Sequence, residues 1–418
     1  MSFDKHLVES FRLYHLIFEK YFHLPIIRTD ENAIKKGQLR MHCEPSFRAL
    51  LPWYLSMFFT IIVYGEGTIV FLVLQEVYGQ TGVVPQKVLF IFILLTGIGI
   101  MGIGSTGILI AMTSDMVNKN NLFNSKVDSI FDNENSDVAG NKCSFLRTVR
   151  EFCGVLTGTG NRPYEIRRQT IFLHFTVLFG GFCTTFVATV GTAVGIDPAR
   201  FLMEQLIPTN WQQNPVFSFM ILVVRIGITN IACFEVARVT ILIAVLTVNW
   251  TVSTDALLEK MKASHDPNEF LDLYTIASRA HESGHHETRI FLAWFIGASY
   301  FVEVVLIWMT LTMYDQGLGF IYPIFPLCAI VVIGFFMLLL KGYIDLYEKS
   351  KMVTGTRRVM DTFSLSGKSY KSSYILRRVK SLRSFQYACG SVLKIEKGTP
   401  LDYLSTLSER VVDALILF

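Results

Sequence analysis

The chain of 418 residues is 51% hydrophobic, holds 34 Phe, and is only 17% charged, against about 25% charged residues in a soluble domain. Its charges cluster between long apolar runs, which excludes an ordinary soluble domain and indicates an integral membrane protein with spans of about 20 residues. A formal net charge of +4, with no basic stripe interleaved with aromatics, excludes a nucleic-acid partner.

The N-terminal segment, residues 1–47, carries Lys5, Arg12 and Lys20 and lacks an apolar run ending in a small-residue cleavage site, so no cleaved signal peptide is expected. Residues 48–345 then hold six apolar segments, near 50–74, 88–112, 171–196, 216–248, 291–313 and 322–340. The first includes Glu66. The second reads L-T-G-I-G-I-M-G-I-G-S-T-G from Leu95 to Gly107, which includes the letters Gly97-x-Gly99-x-x-Gly102. A dinucleotide-binding turn needs a preceding strand and an acidic residue about 20 positions on. Here the glycines lie in mid-span, and Gly97, Gly104, Gly107 and Ala111 form one small-residue face suited to close helix packing.

The connections alternate in length and charge. Residues 113–169 and 250–289 are read as long loops, the first with an Asn-, Asp- and Ser-rich stretch at 115–145. The fourth and fifth spans are expected to continue as helices beyond the membrane, and 268–289 has helix-compatible apolar spacing through Phe270, Leu271, Tyr274, Ile276 and Ala277. Alternate connections hold thirty Lys and Arg against two, Lys87 and Arg200, on the other side. Positively charged loops stay in the cytosol, so the N-terminus is read as cytosolic. The lone sequon, Asn249-Trp-Thr251, then falls on the cytosolic side and is expected to stay unmodified.

Residues 346–400 are read as a basic cytosolic loop and helical lead-in. Residues 401–418 form a seventh span about 27 Å long, despite Glu409, Arg410 and Asp413. Ser405, Ser408, Glu409 and Asp413 fall on roughly one side of this helix. Such a wet face lines a pore between subunits, packs on the protein's own helices, or lies in the membrane interface. For the first of these, the pore-lining set is Ser405, Ser408, Glu409, Arg410, Val412, Asp413 and Ile416. The fold class is therefore an all-α membrane protein with seven transmembrane helices, the N-terminus cytosolic and the C-terminus extracellular.

Two other constellations carry chemistry. His281-Glu282-Ser283-Gly284-His285 is literally H-E-x-x-H, which on a helix sets two imidazoles one turn apart for zinc, with Glu282 as general base. The nearest third ligand, Glu303, lies deep in the fifth span, Gly284 weakens the helix, and His286, Glu287 and Arg289 read as a solvated surface. A polar helix face is the simpler reading, a membrane-embedded zinc metalloprotease the alternative, and no metal, cofactor or catalytic residue is assigned. In the fourth span, Glu235 has the spacing to pair with Arg238. Arg225, nearer the outer end, either snorkels to the interface or lines a ligand cavity. The seven Cys form no C-x-x-C and are odd in number, so neither a disulfide framework nor a zinc finger is indicated.

The architecture resembles the insect gustatory and odorant receptor superfamily. Tyr14 through Pro25 is similar to its N-terminal apolar segment ending Gly-Leu-x-Pro, with His23 at the Gly position. Phe270 through Phe291 resembles its approach to the fifth span, and Gly390 through Phe418 its last span. In gustatory receptors that span often ends Thr-Tyr, five apolar residues, Gln-Phe. Here Arg410, Val411 and Leu417 replace the polar positions and only Phe418 matches, the pattern of a divergent member.

The resemblance implies a chemosensory, ligand-gated, non-selective cation channel in the plasma membrane, tetrameric from like or unlike subunits, with membrane lipid around it. A small organic ligand would enter an outer cavity with candidate lining residues Phe182, Thr189, Phe217, Phe219, Arg225 and Tyr300. A G-protein-coupled chemoreceptor is the third reading, and it requires the opposite orientation.

Overall fold

The structure is a computed structural model of the 418-residue chain. It describes residues 5–20, 27–35, 40–43, 47–61, 107, 117–118, 121–126, 165–195, 197, 199–200, 203, 206–264, 266–312, 314, 322–355, 377–378, 382–389 and 393–417. The second predicted span, apart from Gly107, therefore lies outside the described residues, as do the end of the first with Glu66 and most of the 113–169 connection.

Helix α1 (Lys5–Tyr14) runs into a π-helical turn, His15–Glu19. Leu7, Phe11, Tyr14 and Phe18 recur at helical spacing and are all buried. They pack α1 against α4 (Glu165–Val194) and α6 (Pro215–Ala263), where the rings of Phe18 and Phe234 are 4.9 Å apart. The chain then forms an antiparallel pair, β1 (Ile27–Thr29) with β2 (Met41–Cys43), around the short α2 (Glu31–Lys35). Buried Glu19 organises this corner. Its carboxylate accepts the Thr29 amide at 3.1 Å and the Thr29 hydroxyl at 2.6 Å, and lies 2.8 Å from His15 Nδ1. Helix α3 (Phe47–Ile61) follows.

After α4 comes the short α5 (Thr209–Gln212), then the 49-residue α6 and the 46-residue α7 (Pro267–Thr312). The expected 250–289 loop is thus nearly all helix. Local sequence explains the tight turn. Lys260 and Lys262 suit the negative end of α6, Ser264 caps it, Asp266 accepts the Asn268 amide at 3.0 Å, and Pro267 opens α7. The other end of α6 starts on Asn214, whose side chain accepts from Val216 N at 3.0 Å, with Pro215 in the first turn.

Helix α8 (Ile324–Thr354) packs on α4, α6 and α7. At the polar ends, Lys349 bridges α8 to Asp255 and Glu259 of α6 at 2.5 and 2.6 Å. The lead-in to the last helix is a hairpin, β3 (Ala388–Cys389) with β4 (Leu393–Lys394), where a helix was expected. Tyr387 anchors it: its ring is buried against Tyr343 of α8 at 4.5 Å, and burial raises its phenol pKa. Helix α9 (Thr399–Leu417) then packs on α7 and α8.

Helices α4, α6, α7 and α8 each hold a stretch long and apolar enough to cross a membrane. Helix α9 carries Asp402, Glu409, Arg410 and Asp413, so its composition alone does not qualify it.

Candidate functional site

Helix α9 has two faces. Tyr403, Leu407 and Val411 are buried at four-residue spacing, with Ala414 packed next in line. This stripe rests on α7 and α8, where the rings of Tyr403 and Phe336 are 4.5 Å apart. Ser405, Ser408, Glu409, Arg410, Val412, Asp413 and Ile416 are all exposed, Ile416 at 78%. Apart from Arg410, which flanks the buried stripe beside Tyr300 of α7, the predicted pore-lining residues share the sides of α9 turned away from its own bundle. At 100° per residue, Ser405, Glu409, Val412 and Ile416 form its centre, running from polar to apolar toward the C-terminus. The charges are not independent: Arg410 Nη1 is 2.9 Å from Asp413 Oδ2. On this face Asp402 and Glu409 are exposed carboxylates with no ion pair among the described residues, while Arg410 and Asp413 largely cancel.

Tyr300, a predicted ligand contact, belongs to this region instead. Its hydroxyl donates to the Thr406 carbonyl of α9 at 2.8 Å, with the Arg410 guanidinium beside it. No described contact joins it to the other predicted ligand residues.

Those others lie on α4 and α6. Thr189 Oγ1 accepts from Asn230 Nδ2 at 3.1 Å, which joins the two helices. One to two turns away, Arg225 of α6 reaches across to Asp197. Its Nε is 3.0 Å from Oδ2, its Nη2 meets Oδ1, and Nη2 is 3.4 Å from the Thr192 carbonyl. Asp197 is 1% exposed and the Arg225 side chain 12%. Gly195, with φ +80°, ends α4 in the left-handed region open to glycine and so returns Asp197 toward α6. Arg225 thus makes a buried fork-to-fork pair across to Asp197, where snorkelling to the interface or lining a ligand cavity was expected.

The aromatic candidates sit outside this polar seam. Phe182, 73% exposed, stacks on Phe186 at 6.0 Å; Phe217 stacks on Trp211 at 4.9 Å; Phe219 is exposed. Farther along α6, Glu235 and Arg238 form the expected i,i+3 pair at 2.5 Å. The pair is fully buried, near the middle of α6.

The H-E-x-x-H stretch lies on unbroken helix within α7, Gly284 included. The His281 ring packs against Phe385 and Tyr387, with centroids 5.3 and 4.8 Å away. Glu282 accepts from Ser278 at 3.3 Å. The side chain of His285 lies outside the described residues. Among the described residues, no three His, Cys, Asp or Glu gather to hold a metal. Beside His281, a cavity of about 540 Å³ opens between α7 and the 382–387 segment.

Sequence reasoning missed three participants: Asp197, Asn230 and the partnership of Glu303 with Tyr403. Each is a polar residue in or at an apolar helix, which is the available signal, since such groups face protein or water. Their partners are distant in sequence, so no local spacing identifies them.

No protein-family model matches the sequence, and no curated protein matches it. Solved structures do match its fold. The olfactory receptor OR5 of the insect Machilis hrabei in complex with eugenol aligns with a TM-score of 0.58 at 11% identity, over 99% of this chain and 98% of that one. A second structure of the same receptor aligns at 0.60 and 11% identity, over 98% and 96%. The chain therefore has the fold of an insect olfactory receptor along essentially its whole length.

Proposed function

We propose that the chain is a chemosensory receptor of the insect gustatory and odorant receptor superfamily, on its gustatory-receptor-like side. In this reading it works as a ligand-gated, non-selective cation channel in the plasma membrane. The observation that carries the reading is α9, held to its bundle by one stripe while the opposite stripe stays exposed. Four copies around an axis would cover that stripe and enclose a conduit. Glu409 then supplies a negative ring that favours cations, and Val412 and Ile416 supply apolar rings that gate by dewetting. The full-length likeness in fold supports the assignment. The thirty-to-two bias of Lys and Arg supports a cytosolic N-terminus and, with seven spans, an external C-terminus.

The ligand is a small organic molecule, in keeping with the eugenol held by one structural neighbour. Its site lies between the outer parts of α4 and α6, near Phe182, Thr189, Phe217, Phe219 and Arg225. Tyr300 acts at α9 instead. The ligand opens the conduit by binding the open state more tightly than the closed one.

Patch recording of the expressed protein across a salt gradient tests the conduit. Glu409→Gln is expected to lower cation-over-anion permeability. Asp413→Asn, which releases the Arg410 charge, moves it the same way, and the double variant moves it furthest. An unchanged reversal potential in the double variant removes both residues from the permeation path.

A further inference from the structure

Helix α7 holds an acid that neither the conduit nor the ligand site uses. Glu303 of α7 is 0% exposed, within an otherwise apolar stretch. The Tyr403 hydroxyl of α9 donates to its Oε2 at 2.6 Å. No hydrogen bond reaches its Oε1 among the described residues. A carboxyl group so placed is expensive and usually marks function. One turn back on α7, Tyr300 donates to the Thr406 carbonyl at 2.8 Å. The Tyr300 and Tyr403 rings meet edge to face at 5.7 Å. Helix α7 thus grips α9 at two points, residues 300 and 303 against 403 and 406, and each pair is one turn apart.

We infer that the Glu303–Tyr403 bond is a gating latch. It is a positioning contact that sets how readily α9 moves, without touching permeating ions. The inference rests on the channel reading above. Leu407 and Val411 continue the buried stripe by shape alone, so they tolerate sliding. A hydrogen bond of 2.6 Å to a single oxygen does not: rotating or tilting α9 breaks it, and in an apolar surrounding the hydroxyl finds no water to replace it. The bond therefore separates two arrangements of α9 instead of merely adding cohesion. Because Glu303 of α7 meets α9 at Tyr403, on the stripe opposite Ser405, Glu409, Val412 and Ile416, its removal leaves the charge of the conduit face unchanged.

The test needs no ligand. Full-length protein and the variants Tyr403→Phe, Glu303→Gln, Glu303→Leu and Tyr403→Phe/Glu303→Leu are recorded as single channels in planar bilayers. Breaking a buried hydrogen bond so that a polar group is left unpaired corresponds to roughly a tenfold change in an equilibrium. Tyr403→Phe and Glu303→Leu are each expected to change the closed dwell time about tenfold in the same direction. The double variant should go no further, Glu303→Gln, which keeps an acceptor oxygen, should fall between, and permeability ratios should not move. Multiplying effects in the double variant overturn the latch. So do an unchanged dwell time, a shifted permeability ratio, or failure of Tyr403→Phe alone to reach the membrane. If neither the unmodified protein nor any variant opens, with or without eugenol in the bath, the channel reading itself fails, which is a different result.

Discussion

Removing one half of the Arg225–Asp197 pair has a consequence large enough to measure directly. The pair is buried, forked, and supported by the Thr192 carbonyl. Arg225→Gln leaves the Asp197 carboxylate buried without its cation, and Asp197→Asn leaves the guanidinium without its anion. Breaking one partner of a buried pair costs about 3–5 kcal/mol, or roughly two to four orders of magnitude in the folded-to-unfolded ratio. Replacing both by apolar side chains of similar volume, Arg225→Met with Asp197→Leu, is close to neutral because no orphaned charge remains. The assay is a melting curve of detergent-purified protein, followed by gel-filtration fluorescence after heating. Each single variant is expected to melt well below the unmodified protein, and the double variant close to it. If the double variant loses as much as both singles combined, the pair is not the source of the effect and the reasoning fails.

Two further outcomes follow from other parts of the fold. Asn249, the lone sequon, is fully buried on α6, with its amide 3.3 Å from Asn124 Oδ1; glycosidase treatment of protein from eukaryotic cells should leave gel mobility unchanged, and a shift would reverse the orientation and favour a G-protein-coupled reading. Purified protein should contain no stoichiometric zinc by elemental analysis, and Glu282→Gln should leave melting within about 0.5 kcal/mol of unmodified; bound zinc lost on mutating His281 would revive the protease reading.

Much of this molecule is written in local pattern. The apolar runs that become α4, α6, α7 and α8 were placed to within a few residues at one end, because span length and hydropathy set them. The extensions of α6 and α7 were legible too, since Phe270, Leu271 and Ala277 keep helical spacing past the membrane-length stretch, whereas α8 runs on to Thr354 into a stretch read as loop. Glu235 with Arg238 was legible because both lie on one helix. The amphipathic tail was legible as well, because Tyr403, Leu407 and Val411 alternate with polar positions at helical period. The partner of Arg225 was not legible: it is 28 residues away, beyond a glycine turn that no periodicity announces. The bond from Tyr300 to α9 was not legible either, because an aromatic in a span looks alike whether it faces ligand or helix. The β1–β2 and β3–β4 hairpins escaped notice because two- and three-residue strands carry no pattern.

The uninterrupted course of α6 has an evolutionary consequence. Its 49 residues make a rod roughly 74 Å long, more than twice the thickness of the oily layer it would traverse. Every residue beyond a given point is held in phase with every residue before it. Inserting or deleting a single amino acid midway turns the far end by roughly 100°, dragging Asp255 and Glu259 out of reach of Lys349 at the opposite tip. Along this stretch the gene is free to substitute but not to change length, and natural length variation among relatives of this chain should collect in the connections on either side.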